Sequence, residues 1–80
     1  MTVRVVGFAR ARELLADRGQ VSVADGGSIA DAWAQLVTAI PELSELSASV
    51  RFAVDGALTR PEYGLRDGQE LAILPPVGGG

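Results

Sequence analysis

The last six residues of the chain, Pro75-Pro76-Val77-Gly78-Gly79-Gly80, are where residue type and spacing could do chemistry. A terminal glycine carries an α-carboxylate on an unsubstituted carbon, and glycines in series make the thinnest and most adaptable backbone available. Such an end fits a narrow tunnel. The proline pair fixes φ twice and favours an extended polyproline path, which aims the tail away from the segment before it. At neutral pH the Gly80 carboxylate is ionised, with a reference pKa of about 3.3–3.7, and an ionised carboxylate is a poor electrophile. Acyl chemistry at this end therefore needs activation by another molecule.

The remainder of the chain offers little reactivity. It contains no histidine and no cysteine, which removes the commonest metal ligands, the usual general base and the thiol nucleophile together. An iron–sulfur cluster held by thiolates is excluded on the same ground, and no metal site is expected. Ser28, Ser44, Ser47 and Ser49 have no histidine to activate them, and Ser28 is accounted for as a helix cap. Ten Asp or Glu residues read more simply as a solvated surface than as an acid–base pair. The glycine run is no phosphate loop, because no helix follows it and the lysine of that motif occurs nowhere in the chain. The expectation is a protein without intrinsic catalysis and with no bound cofactor.

Charge and length narrow the partners. Seven arginines, no lysine and ten acidic residues give a net charge of −3 with no basic run, which argues against nucleic acid and anionic membrane surfaces. Apolar stretches fall short of the roughly 18 residues of a membrane span. The start, Met1-Thr2-Val3-Arg4-Val5, lacks the layout of a signal peptide, so a cytoplasmic location is expected. Eighty residues, 48% hydrophobic and 21% charged, make one small globular domain. Its stability should be about 4–12 kcal/mol, supplied by packing alone because no disulfide can form.

The elements that must position the tail are legible along the chain. Val3 to Ala9 predicts a strand with Val3, Val5 and Gly7 on one face and Arg4, Val6 and Phe8 on the other. Arg10 to Arg18 predicts about two turns of helix closed by Gly19. Val21 and Val23 mark a second short strand that pairs with the first in hairpin-like fashion, ended by Asp25-Gly26-Gly27. Ile29, Ala32, Trp33, Leu36, Val37 and Ile40 line one face of a main helix over 28–40, capped by Ser28 with Asp31 in the capping-box position and stopped by Pro41. Trp33 on this stripe predicts core packing. Residues 42–49 read as a polar connector anchored by Leu43 and Leu46. Val50, Phe52 and Val54 form a third strand, Asp55-Gly56 a hairpin turn into Ala57-Leu58, and Asp67-Gly68 a turn into a final strand, Glu70 to Leu74. Tyr63, beside Pro61, reads as a loop anchor. This order suits an α+β, β-grasp arrangement: a mixed sheet with one main helix packed across it. Residues 1–74 would be the β-grasp domain and 75–80 an extended tail.

In this strand reading Leu71 and Ile73 point inward, while Val6, Phe8, Ala72 and Leu74 crowd the face away from the helix. Neighbouring apolar residues on a solvent face suggest a docking patch, with closure of an open end of the core as the alternative role for Phe8.

The ending Leu71-Ala72-Ile73-Leu74-Pro75-Pro76-Val77-Gly78-Gly79-Gly80 resembles that of the small subunits of molybdopterin synthase, within the wider family of ubiquitin-like sulfur carriers. The specific part is the proline pair and valine ahead of the terminal glycines. Phe8-Ala9 with Arg12-Glu13-Leu14-Leu15, Val54-Asp55-Gly56-Ala57-Leu58 and Leu65-Arg66-Asp67-Gly68-Gln69-Glu70 are similar to the family's first strand and helix, its hairpin and its approach to the last strand. The resemblance implies a ubiquitin-like fold and a carrier in molybdenum cofactor biosynthesis. Gly80 would be adenylated by a ubiquitin-activating-type enzyme that uses ATP, converted to a thiocarboxylate, and inserted with Gly79, Gly78 and Val77 into the large synthase subunit. It also implies that Phe8, Leu58 and Leu74 contact that subunit and that Arg12 makes a charged contact. A carrier for thiamine or cysteine biosynthesis, or a β-grasp interaction module whose glycines are only a linker, remain the alternatives.

Overall fold

The structure is a computed structural model that describes residues 1–76. Strand β1 (Thr2–Gly7) buries Val3 and Val5 and leaves Thr2 and Arg4 in solvent, the alternation of a half-buried strand. It lies between two partners. On one side β2 (Gln20–Ser22) pairs antiparallel, Thr2 opposite Ser22; on the other β5 (Glu70–Leu74) pairs parallel, Val5 opposite Leu71. Strands β3 (Arg51–Val54) and β4 (Ala57–Thr59) complete a five-stranded mixed sheet in the order β2-β1-β5-β3-β4.

The connection between β1 and β2 holds helix α1, shorter than the expected 10–18: it spans Arg10–Leu15. Ala16 turns to φ 53 and its N–H bonds Arg12 O, which ends the helix before Asp17. Gly19, expected to close the helix, instead accepts a hydrogen bond from the Val5 N–H at 2.9 Å and extends the β1–β2 pairing. Glycine at position 7 has a packing cause. A Cβ there would lie 2.7 Å from Leu15 Cδ1 and 2.9 Å from the Arg12 backbone nitrogen, so α1 rests directly on the β1 main chain. The first strand therefore stops at Gly7, two residues earlier than its apolar run.

Helix α2 (Ile29–Ala39) starts as its sequence dictates. The Asp31 N–H donates to Ser28 Oγ at 3.3 Å, and the Ser28 N–H donates to Asp31 Oδ2 at 2.8 Å, a complete capping box. Ile29, Ala32 and Leu36 are fully buried. Trp33 sits at the margin of the stripe rather than in the interior, half-buried with its ring edge-on to Phe52 at 5.6 Å and its indole N–H donating to Ser47 Oγ at 3.1 Å. Ile40 leaves the helical region ahead of Pro41, as the residue before a proline should. The segment expected as a plain connector begins with a 3-10 helix, Pro41–Leu46, organised by the complete burial of Leu43.

Asp55-Gly56 turns the β3–β4 hairpin with φ of 48 and 87, the positive pair a two-residue turn of this hand requires. Asp55 also pins the start of β5, because its Oδ1 accepts the Glu70 N–H at 3.0 Å. The core packs Val3, Val5, Phe52, Val54, Leu71 and Ile73 of the sheet against Ile29, Leu36 and Leu43. Strand β5 ends at Leu74, and Pro75 and Pro76 are exposed. The expected tail residues Val77, Gly78, Gly79 and Gly80 lie outside the described residues.

Candidate functional site

Strand pairing decides which residues share the sheet face away from α2. Val5, Leu71 and Val54 stand in one cross-strand row and are buried under the helix, so the next row along the strands faces the other way. That row is Val6, Ala72, Ala53 and Leu58, one residue from each of four adjacent strands and all apolar. Leu74 follows on the same face one step nearer the end of β5, opposite Arg51. Leu58 is 64% exposed and Phe8 47%.

Phe8 leaves β1 but stays fastened to β5, since its N–H donates to Ile73 O at 3.0 Å. Its ring lines a shallow apolar niche with Ala11, Leu46, Val50, Leu74 and Pro75, directly at the root of the proline pair. The side of this niche is braced by Arg10, whose Nε donates to Glu45 Oε1 at 2.7 Å and ties α1 to the 3-10 helix. That hydrogen bond, and then the Glu45 charge, raise the Arg10 pKa above its ordinary value. Elsewhere on the face Arg4 meets Glu70 at 3.7 Å in an exposed pair.

The structure brings three of the four expected contact residues onto this surface. Leu74 and Phe8 sit together at the root of the tail, and Leu58 closes the apolar row at the β4 edge. Arg12 stands at the opposite flank, in a depression on the unpaired part of the β1 edge with Val6, Gly7 and Leu15. Sequence reading did not single out Ala53, Leu46 and Val50 as part of this surface. The alternation of β3 carried the signal for Ala53. Leu46 and Val50 reach the niche through the 3-10 helix, which local pattern did not reveal.

Among the described residues no polar or charged side chain is buried, and no group of His, Cys, Asp or Glu could hold a metal ion. No helix among them is long and apolar enough to cross a membrane. Among the described residues the arrangement is a partly open apolar face beside the strand end that leads into Pro75.

The mixed five-stranded sheet, the single main helix laid across it and the central strand ending on two prolines define a ubiquitin-like β-grasp domain. Residues 5–80 match the ThiS family, and the chain belongs to that family. It is 35% identical over 83 residues to the molybdopterin synthase sulfur carrier subunit of Chlamydomonas reinhardtii, with 100% of both chains covered. Among solved structures it is similar to SAMP1 from Haloferax volcanii, with a TM-score of 0.85 and 26% identity over 100% of both chains. It is also similar to a Pyrococcus furiosus protein assigned as molybdopterin converting factor, subunit 1, with a TM-score of 0.84 and 26% identity over 96% of this chain and 99% of that one.

Proposed function

We propose that this chain is the sulfur carrier of a molybdopterin synthase, a subunit that contributes a reactive end and a docking face while partners supply the catalysis. One observation carries the reading. The strand that leads into Pro75-Pro76 lies in the interior of the sheet and ends beside the apolar niche of Phe8, Leu46, Val50 and Leu74, so a protein seated on that face receives the tail. Full-length identity to a curated sulfur carrier subunit supports it.

The chemistry follows from the weakness of the carboxylate as an electrophile. A Gly80 oxygen attacks the α-phosphorus of ATP on a ubiquitin-activating-type partner, releasing pyrophosphate and leaving an acyl-adenylate. A sulfur donor then displaces AMP, and the terminus becomes a thiocarboxylate. The loaded tail enters the large synthase subunit, and its sulfur attacks the precursor to form an acyl–sulfur link. Water then cleaves the bond between that sulfur and the acyl carbon, leaving the sulfur for the dithiolene of molybdopterin and the terminus as the carboxylate. Phe8, Leu58 and Leu74 supply apolar contact and Arg12 a charged one. The carrier itself binds no cofactor; ATP belongs to the activating enzyme, and the cycle takes place in the cytoplasm.

The test is intact mass after incubation with ATP, the adenylating enzyme and a sulfide source, followed by addition of the large subunit and precursor. One oxygen-for-sulfur exchange at the terminus and molybdopterin formation are expected. Loading without molybdopterin would point to a thiamine or cysteine pathway, and no exchange at all to an interaction module. The likeness to SAMP1, a small archaeal modifier protein, favours one further reading, attachment of the activated glycine to amines of other proteins. This chain has no lysine to serve as such an acceptor itself, and adducts on other proteins in the same incubation would reveal it.

A further inference from the structure

Two exposed arginines stand at the Leu74 end of the sheet, although the chain as a whole carries −3. Arg51 stands opposite Leu74, the last strand residue before the prolines. Its guanidinium turns back along its own chain, where Nη1 donates to Val50 O at 3.2 Å and reaches Ser49 O at 3.4 Å; Arg51 lines a groove with Trp33, Ser47 and Pro61 that shares Val50 with the apolar niche. Arg60 follows β4 by one residue, and the register that sets Thr59 opposite Phe52 carries its backbone alongside Arg51. Neither arginine pairs with a carboxylate among the described residues, whereas Arg4 and Arg10 both do. Carbonyl oxygens leave most of the five donors of a guanidinium unused, and the fork of those donors matches a carboxylate.

We propose that Arg51, with Arg60 beside it, forms a charged latch continuous with the apolar docking face, and that it meets carboxylates on the rim of the opening through which a partner protein admits the tail. This rests on the carrier reading above. A cation at the rim of an apolar contact fixes orientation and speeds encounter more than it adds to affinity. Here it would set the angle at which Pro75-Pro76 points into the partner. A second copy of this chain is the competing occupant, since it too is acidic overall.

The experiment measures binding of the full chain to two probes, the large synthase subunit and the adenylating enzyme encoded by the same genome, at low and at moderate salt. Arg51→Glu is expected to weaken binding by about tenfold and Arg51→Glu with Arg60→Glu by about a hundredfold, chiefly through slower association. Arg51→Lys should keep most of the association rate. The wild-type rate should fall with salt while that of the double variant hardly changes. Arg66→Glu, on the approach to β5 and thus at the other end of that strand, is the control and should bind as wild type. Unfolding of each variant is followed in parallel, and all should retain wild-type stability because both arginines are exposed. Equal binding by the double variant and wild type would overturn the latch while leaving the carrier reading intact. If wild type binds neither probe, the carrier reading falls and takes the latch with it. Self-association of wild type that the double variant abolishes would assign these arginines to a second copy and overturn the proposal as well.

Discussion

The two faces of the sheet are made by the same strands and differ in what covers them. On the α2 side Val3, Val5, Phe52, Val54, Leu71 and Ile73 lie under a helix and are 7% exposed or less. On the other side Val6, Ala72 and Leu74 are half-buried, Ala53 is buried among its neighbours and Leu58 is exposed; they come from those strands and from β4 and face away from α2. Period-two alternation ordinarily puts polar residues on the uncovered face. Here it puts apolar ones, interrupted by Arg4, Glu70 and Arg51. If the carrier reading proposed above holds, hydrophobicity in this chain serves two ends, stability on one face and recognition on the other, and the two should separate experimentally.

The sharpest separation is at the tail. Removing Gly80 should abolish sulfur loading completely, read as intact mass after incubation with ATP and the adenylating enzyme. Among the described residues the buried core runs from Val3 to Ile73, so the midpoint of thermal unfolding should stay where it is. A large fall in that midpoint would show that the tail supports the fold, and the division between a stable domain and a reactive end would collapse.

Next in size is a break on the covered face. Leu36 is fully buried at the centre of the helix stripe, and Leu36→Ala should lower unfolding free energy by about 2–5 kcal/mol in a urea titration. That is a large part of the roughly 4–12 kcal/mol a domain of this size has. On the open face the balance reverses. Leu58→Asp and Phe8→Asp should each weaken partner binding by about tenfold or more while changing stability by about 0.5 kcal/mol or less. Should free Phe8→Asp unfold instead, Phe8 would belong with the core, closing the niche formed by Ala11, Leu46 and Val50.

What the sequence disclosed follows the range of the interactions involved. Helix α2 was legible because its signals are local: Ser28 and Asp31 three residues apart, apolar residues at helical spacing, Pro41 as a stop. The Asp55-Gly56 turn was legible for the same reason. The order of strands was not, because pairing β5 between β1 and β3 joins residues that are 66 positions apart at one contact, Arg4 with Glu70. The 3-10 helix escaped notice because its organiser, Leu43, is held by tertiary burial rather than by local spacing. Trp33 lay on the expected stripe, yet its size and its N–H placed it at the margin, where it finds both Phe52 and Ser47. The alternation of each strand identified the open face, but assembling its row of four needed the register.

The smallest effect expected tests both faces at once, through the two ends of α1. Ala9 and Ala16 adopt φ of 57 and 53, in a region that suits glycine and strains an alanine. Neither position was legible as unusual, since alanine is a good helix former and both flank a helix. Ala16 follows the buried Leu15 and adjoins the β1 edge, whereas Ala9 follows Phe8, whose ring lines the niche. Replacing either by glycine relieves strain but adds freedom to the unfolded chain. The net should be a gain of about 1 kcal/mol or less in each case, visible as a rise of a few degrees in the unfolding midpoint, at most about 4–8 °C for a domain this small. Binding should tell the two apart. Ala16→Gly leaves the docking face as it was and should bind its partner like wild type. Ala9→Gly frees the backbone that aims Phe8 and should bind a few-fold more weakly despite being more stable, because strain held beside a contact residue keeps that residue in place. Equal binding by both variants would mean that Phe8 is oriented by its N–H bond to Ile73 O alone, and that the left-handed residue before α1 is only the way the chain turns from strand into helix.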